Sequence, residues 1–428
     1  CETNIPQIIG EFDTLTEFYA DRAAIKRMVT AMQQCSVLNE QDRLSVQMLL
    51  SDLDEELAGE RFPSYLQPIN QFYSLPNQMA QLGSGSSAQP FKTVQDYDNW
   101  SKRAAQIPAL FDQAIANMRE GVQKGVVQPR VLMLKVLPQL DALIAADPTQ
   151  TLFYKPISTL PAEFSAADKA RLTTQYSAMI STVLMPAYSR MRDFIRDEYL
   201  PKTRETVGLN ALPDGAAWYA YNVKSRTTTD LTPQAIHQIG LDEVARIQGE
   251  MRKVIKQLKF KGDLQAFFKF LDSDPRFIFK DEPELLAYFE NLRQKVDVGA
   301  ARLFTLQPKA GFEIRPVESF RNKSSSGGSY QSPSEDGTRP GIFYVNTFNL
   351  KAQPTFGMET LSLHEASPGH HFQVSIAQED QNLPKFRRFG SHYTAYVEGW
   401  ALYAERLGKE VGFYQEPLSD YGRRSEEH

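Results

Sequence analysis

The sequence predicts a mainly α-helical protein with one small β-sheet in its second half. Apolar residues recur at three-to-four spacing along most of the chain up to Leu258, the period of one helix face. Alternating, β-branched and aromatic runs are confined to the stretch from Phe312 to Phe348. No apolar run reaches the about 18 residues that a membrane-crossing helix needs. At 428 residues the chain buries a large core, and a prior of one domain per about 150 residues allows two or three lobes.

Taken in order, helices are expected over Thr14–Gln34, Thr93–Lys124, Pro129–Ala146, Ser165–Glu205 and Thr232–Leu258. The last opens on Thr232-Pro233, an N-cap followed by proline where the helix has no amide to satisfy. The acidic run Asp52–Glu56 reads as a solvated helix face, and Gly83–Pro90 as a loop between helices. Strands are expected within Phe312–Phe320 and Gly341–Phe348, separated by the Gly/Ser-rich Ser324–Ser329. The Gly341–Asn346 strand has two readings. It is either a sheet edge that pairs with an extended peptide through main-chain hydrogen bonds, or a core strand.

A net charge of −5 without a long basic run excludes nucleic acid as a partner. Cys1 opens the chain where a methionine would normally stand, as in a lipoprotein whose signal peptide is cut just before the lipid-bearing cysteine. The competing reading is a fragment boundary. Cys35 falls in a helical pattern and reads as a small core residue; a Cys1–Cys35 disulfide is open only if Cys1 carries no lipid.

Histidine is sparse, yet four of six, His364, His370, His371 and His392, fall in the stretch that ends at Glu398. His364-Glu365 followed by a further histidine is similar to H-E-x-x-H, in which two imidazoles hold zinc and the glutamate acts on water. The spacing is two residues too long: on an unbroken helix His370 would lie roughly 240° around from His364. Pro368 cannot donate to the His364 carbonyl, and Gly369 frees the backbone, so the helix must bulge or break and swing His370 back. His371 competes for the position, but at i+7 it lies roughly 10 Å along an intact helix.

A catalytic zinc usually takes three protein ligands. The third is expected from the helix over Ser391–Leu407, where Tyr396, Trp400, Tyr403 and Leu407 form an apolar stripe. Glu398 sits within that stripe, where an unpaired carboxylate is costly, and Glu405 is the alternative two turns on. His392 and His237 read as structural. Tyr330, Arg339 and Tyr344 are candidates for steadying an oxyanion or holding a substrate carboxylate, and Tyr330, Gly341 and Asn346 for holding substrate.

These residues carry a family resemblance. The block His364–His371, the block Glu398–Glu405 and the stretch Arg339–Asn346 together resemble the bacterial domain of unknown function 885 family. Leu212–Tyr219, Thr227–Pro233 and Ile236–Val244 resemble its middle section, and Met118–Pro129 its earlier helices. The resemblance implies a zincin-like metallopeptidase with two helical lobes around a cleft, a helical lobe over residues 1–210 and a catalytic lobe over 211–428. Similar proteins continue past Tyr421–Arg423 into helices that help close the site. The expected activity is peptide hydrolysis, with zinc on His364, His370 and Glu398 and with Glu365 as general base. Alternatives are amide or ester hydrolysis on a small molecule and a non-catalytic zinc-binding envelope protein. The expected location is the periplasmic face of the bacterial envelope, tethered through Cys1 if that residue is the mature N-terminus, and otherwise soluble.

Overall fold

The computed structural model describes residues 22–33, 38–72, 74–390 and 393–426. Cys1, Cys35, His392 and His428 lie outside the described residues. The fold is mainly helical (66% helix) with one three-stranded sheet. None of the described helices is long and apolar enough to cross a membrane.

The chain divides into two compact units. One comprises residues 1–61, 220–317 and 326–428; the other comprises 62–219 and 318–325. This differs from the single division expected at 210/211. A cut near that point is present, but the described residues up to Arg61 belong with the later part of the chain. Helical periodicity reports which face of a helix is buried and not which distant segment buries it.

In chain order the early helices are α1 (Arg22–Met32), α2 (Glu40–Gly59), α3 (Leu75–Gly83), α4 (Val94–Ala104), α5 (Ile107–Lys124), α6 (Arg130–Asp141), α7 (Ala166–Met179) and α8 (Met185–Asp193). The single helix expected over Thr93–Lys124 is two. α4 starts on a capping box between Thr93 and Asp96, and α5 restarts with Pro108 in its first turn, where a missing amide costs nothing. The long pattern from Ser165 runs as α7 and α8 with π-helical turns at Ile180–Leu184 and Phe194–Tyr199. These helices of the 62–219 unit enclose a core that includes Trp100, Phe111, Tyr176 and Tyr188.

Helices α9 (Gly215–Thr227), α10 (Pro233–Gln257), α11 (Leu264–Ser273) and α12 (Glu282–Leu303) follow. The expected Thr232 cap is present: its side chain accepts from the Ala235 amide. The acidic run on α2 is a correction to the sequence reading. Only Asp54 is exposed; Asp52, Glu55 and Glu56 line a small cavity with Tyr393, and Ser225 hydrogen-bonds Glu55.

The sheet holds β1 (Phe312–Pro316), β2 (Gly328–Gln331) and β3 (Gly341–Val345) in the order β1-β3-β2. β3 is parallel to β1 and antiparallel to β2. It is therefore the central strand, buried at all five positions, and the edge reading of Gly341–Asn346 is overturned because both its sides are already paired. The free edge beside the site belongs to β2, which the Gly/Ser-rich connector concealed in the sequence. Phe343 and Val345 face α12 and α13 (Met358–Glu365), with Phe343 edge-on to Phe289 at 5.0 Å; Ile342 and Tyr344 pack with Val317 on the other face. Phe343→Ala should cost about 3–5 kcal/mol in a denaturant titration, because a fully buried ring under α13 leaves a cavity. Tyr344→Phe, which removes only the hydroxyl bonded to Gln331, should cost about 1 kcal/mol.

Candidate metal centre

Helix α13 ends on His364 and Glu365, and α14 (His370–Glu379) begins on His370. Between them Ala366 leaves helical geometry (φ −99°, ψ −117°), and the Ser367–Pro368 peptide is cis. The helix thus breaks into two. Gly369 passes so close to the carbonyls of Leu363 and His364 that a Cβ there would overlap them. Two bonds hold the connection: His371 N donates to Ala366 O at 3.1 Å, and Trp400 Nε1 donates to Pro368 O at 2.7 Å.

The break brings His370 back to His364. Their rings stand 4.7 Å apart, nearly perpendicular. His364 Nε2 lies 3.3 Å and His370 Nε2 3.6 Å from the same oxygen, Oε2 of Glu398 on α16 (Thr394–Leu407). One ligand atom from each residue lies within 4.8 Å of the other two. Glu405, two turns further along α16, bonds the other nitrogen of His364: Nδ1 to Oε1 is 2.8 Å. Glu405 is thus placed behind the histidine, not among the three convergent donors. His371 turns away. Its Nδ1 meets Tyr330 Oη at 2.9 Å and Ser375 Oγ at 3.3 Å, and its ring packs on Phe312.

The surface of α16 differs from its sequence reading. Tyr396 and Tyr403 are 59% and 52% exposed, and the buried face is Ala401, Ala404, Glu405 and Leu407. Small residues let α16 lie close to α13, so the buried carboxylate is Glu405 (3% exposed), while Glu398 is 52% exposed. An apolar-stripe rule weights large side chains and misses a face whose use is close approach.

Electrostatics separate the groups. Burial raises the Glu365 carboxyl to about 7, and nearby Glu398 adds to it, against the opposing pull of His364. Burial lowers His370 and His371 to about 4, which keeps both imidazoles neutral, the form that binds metals. For His364 burial acts downward, but the Glu405 hydrogen bond and the surrounding carboxylates outweigh it and raise its pKa. A cavity of about 360 Å³ is lined by Gly328, Leu361, His364, Glu365 and Glu405, among others.

The remaining sequence candidates are not gathered at this cluster. Tyr344 lies on the sheet face away from α13 and bonds Gln331 Oε1 at 3.2 Å. Arg339 donates to the carbonyls of Ser332 and Pro340 and lines a different cavity. Asn346 follows β3, its Oδ1 accepting from Phe348 N. Gly341 gives room to the Tyr330–His371 pair, which a Cβ would crowd. Alternation along a strand identifies residues that share a face but not which face meets the site.

The sequence matches, over residues 13–428, the family described as "Bacterial protein of unknown function (DUF885)". The chain belongs to the DUF885 family. Its fold is similar to that of a "putative lipoprotein" from Colwellia psychrerythraea, with a TM-score of 0.85 and 27% identity over 96% of this chain and 72% of that one. A "putative lipoprotein of unknown function" from Shewanella oneidensis shares the fold, with a TM-score of 0.54 and 19% identity over 95% and 73% of the two chains. No curated protein matches the sequence.

Two separations in the donor set of this DUF885 chain have the size that zinc ligands show. Ligands about 2.0–2.2 Å from a tetrahedral centre stand about 3.3–3.6 Å apart. The two imidazole-to-carboxylate separations, 3.3 and 3.6 Å, match. Replacing Gly369 by alanine should force the two helix ends apart. A fall in melting temperature, with His364 and His370 displaced in a crystal structure of the variant, is the expected result; an unchanged fold would mean the close approach is dispensable.

Proposed function

We propose that this chain is a zinc-dependent hydrolase of zincin-like type that cleaves peptide bonds. The observation that carries the reading is the convergence of His364 Nε2, His370 Nε2 and Glu398 Oε2 beside the buried Glu365, with Glu405 fixing His364 from behind. Zinc held by His364, His370 and Glu398 would supply a Lewis acid for a scissile carbonyl and lower the pKa of water.

The chain's own residues supply the rest. Glu405 accepts from Nδ1–H of His364, which fixes the tautomer with Nε2 free and turns its lone pair toward His370. Glu365, whose pKa lies near neutrality, accepts a proton from the attacking water and returns it to the departing amine. The edge of β2 supports recognition of an extended peptide. Asn346 N donates to Gly327 O, so by antiparallel alternation the amides and carbonyls of Gly328 and Tyr330 point away from β3. No strand among the described residues occupies that side. Gly328 also lines the cavity that reaches Glu365, so a peptide paired there would run toward the base.

Purified protein should hold about one zinc per chain. His364→Ala should abolish binding, and Glu405→Gln should weaken it by about 10–100-fold, as loss of a histidine-orienting carboxylate typically does. Glu365→Gln should keep the metal and melting temperature while peptide cleavage falls at least about a hundredfold. Full zinc retention in His364→Ala would remove the site. A Glu365→Gln variant as active as the parent would remove the mechanism and favour metal-assisted chemistry with another base.

The name of the Colwellia psychrerythraea neighbour, a putative lipoprotein, supports an envelope location for this chain as well. Expressed in full in its own bacterial host, the protein should fractionate with envelope membranes. Recovery of the protein in the cytoplasmic fraction would defeat this assignment.

A further inference from the structure

We propose that a second cavity, separate from the histidine cluster, binds a small carboxylate. It lies where α14 ends, beside the starts of β1 and β3 and the short helix α15 (Lys385–Phe389), and has a volume of about 460 Å³. That is within the range of small-molecule sites. It shares no lining residue with the cavity at Glu365.

Two guanidinium groups line it without a carboxylate partner. Arg388 is 7% exposed; its Nε donates to Gln378 O at 2.8 Å, and the group lies over the Phe389 ring at 4.8 Å. Its two terminal nitrogens have no bonded partner among the described residues. Arg339 donates only to carbonyls, Pro340 O at 3.1 Å and Ser332 O at 2.7 Å, and its Nε is buried without a partner. Gln378 Oε1, also buried at the cavity, lacks one too.

Acidic groups are near but engaged elsewhere. Glu379 accepts from the amides of Lys309 and Ala310, Asp336 from Ser334 and Thr338, and Glu335 pairs with Lys385. No ion pair joins these acids to Arg339 or Arg388 among the described residues. A buried guanidinium is costly unless an anion meets it, and its planar fork matches the two oxygens of a carboxylate. The same acids discriminate by charge. They would repel a phosphate dianion more strongly than a monoanion, and Pro333, Pro340 and Phe389 offer the apolar wall that an organic acid needs.

The carboxylate has two possible sources, a free organic acid and the C-terminus of a peptide. The test is calorimetric titration of the whole protein with N-acetyl-phenylalanine, its amide, and a pentapeptide in acid and amide forms. N-acetyl-phenylalanine should bind and its amide should bind at least roughly tenfold more weakly, the size of one lost charge-assisted pair. Tighter binding of the pentapeptide acid than of N-acetyl-phenylalanine identifies a peptide terminus as the natural occupant; equal or weaker binding identifies a free acid. Arg388→Gln should reduce affinity for the acid by at least the same factor, with circular dichroism unchanged. If that variant does not fold, Arg339→Gln carries the same expectation. Equal binding of acid and amide, no binding of any probe, or parental affinity in a folded variant overturns the proposal. None of these readouts requires a metal.

Discussion

One imidazole ties the site together. His364 is gripped at both nitrogens, by Glu405 on one side and by the approach of Glu398 and His370 on the other. That arrangement requires three things of the fold. The helix must stop after Glu365 so that His370 can return, and Gly369 removes the one Cβ that would prevent it. α16 must lie against α13 at short range, which Ala401 and Ala404 permit and which Gly408 extends, since a Cβ there would meet Leu363 and Tyr414. α13 must also have a firm floor, and Phe343 of the central strand supplies it.

The same geometry sorts two chemically identical side chains into different tasks. Glu398 and Glu405 sit two turns apart on one helix face, and their side chains reach the two nitrogens of one ring, Nε2 and Nδ1 of His364. The half-exposed Glu398 is free to share its oxygen with a cation or a solvent molecule. The buried Glu405 holds Nδ1 of His364.

Much of this was legible in the sequence, and what was not has physical reasons. The spacing of His364, Pro368, Gly369 and His370 required an interruption and pointed to His370, and the structure brings His370, not His371, to Glu398. The helical class and the presence of a small sheet beside the cluster were readable from periodicity. The sheet's internal order was not. Strand pairing is a long-range choice, so β3 looked as much like an edge as a centre, and Tyr344 looked available when it faces the other way. β2 escaped notice because four residues beginning in a Gly/Ser run carry no periodic signal. α10 shows the opposite failure. Ile239, Leu241 and Val244 have apolar character, yet all three are about half exposed in the described structure, at 50%, 51% and 52%.

The brevity of β2 has a consequence of its own. An unpaired sheet edge is a template on which any extended chain can add itself, and proteins blunt such edges because unlimited addition leads to aggregates. Here the edge spans four residues, only Gly328 and Tyr330 turn their main-chain groups outward, and the Gly328 carbonyl already accepts from Ser326 Oγ at 2.6 Å. A strand arriving from another molecule would find too few rungs to climb. The sheet is thereby protected from polymerising through this edge, and whatever docks there is held by a grip short enough to let go.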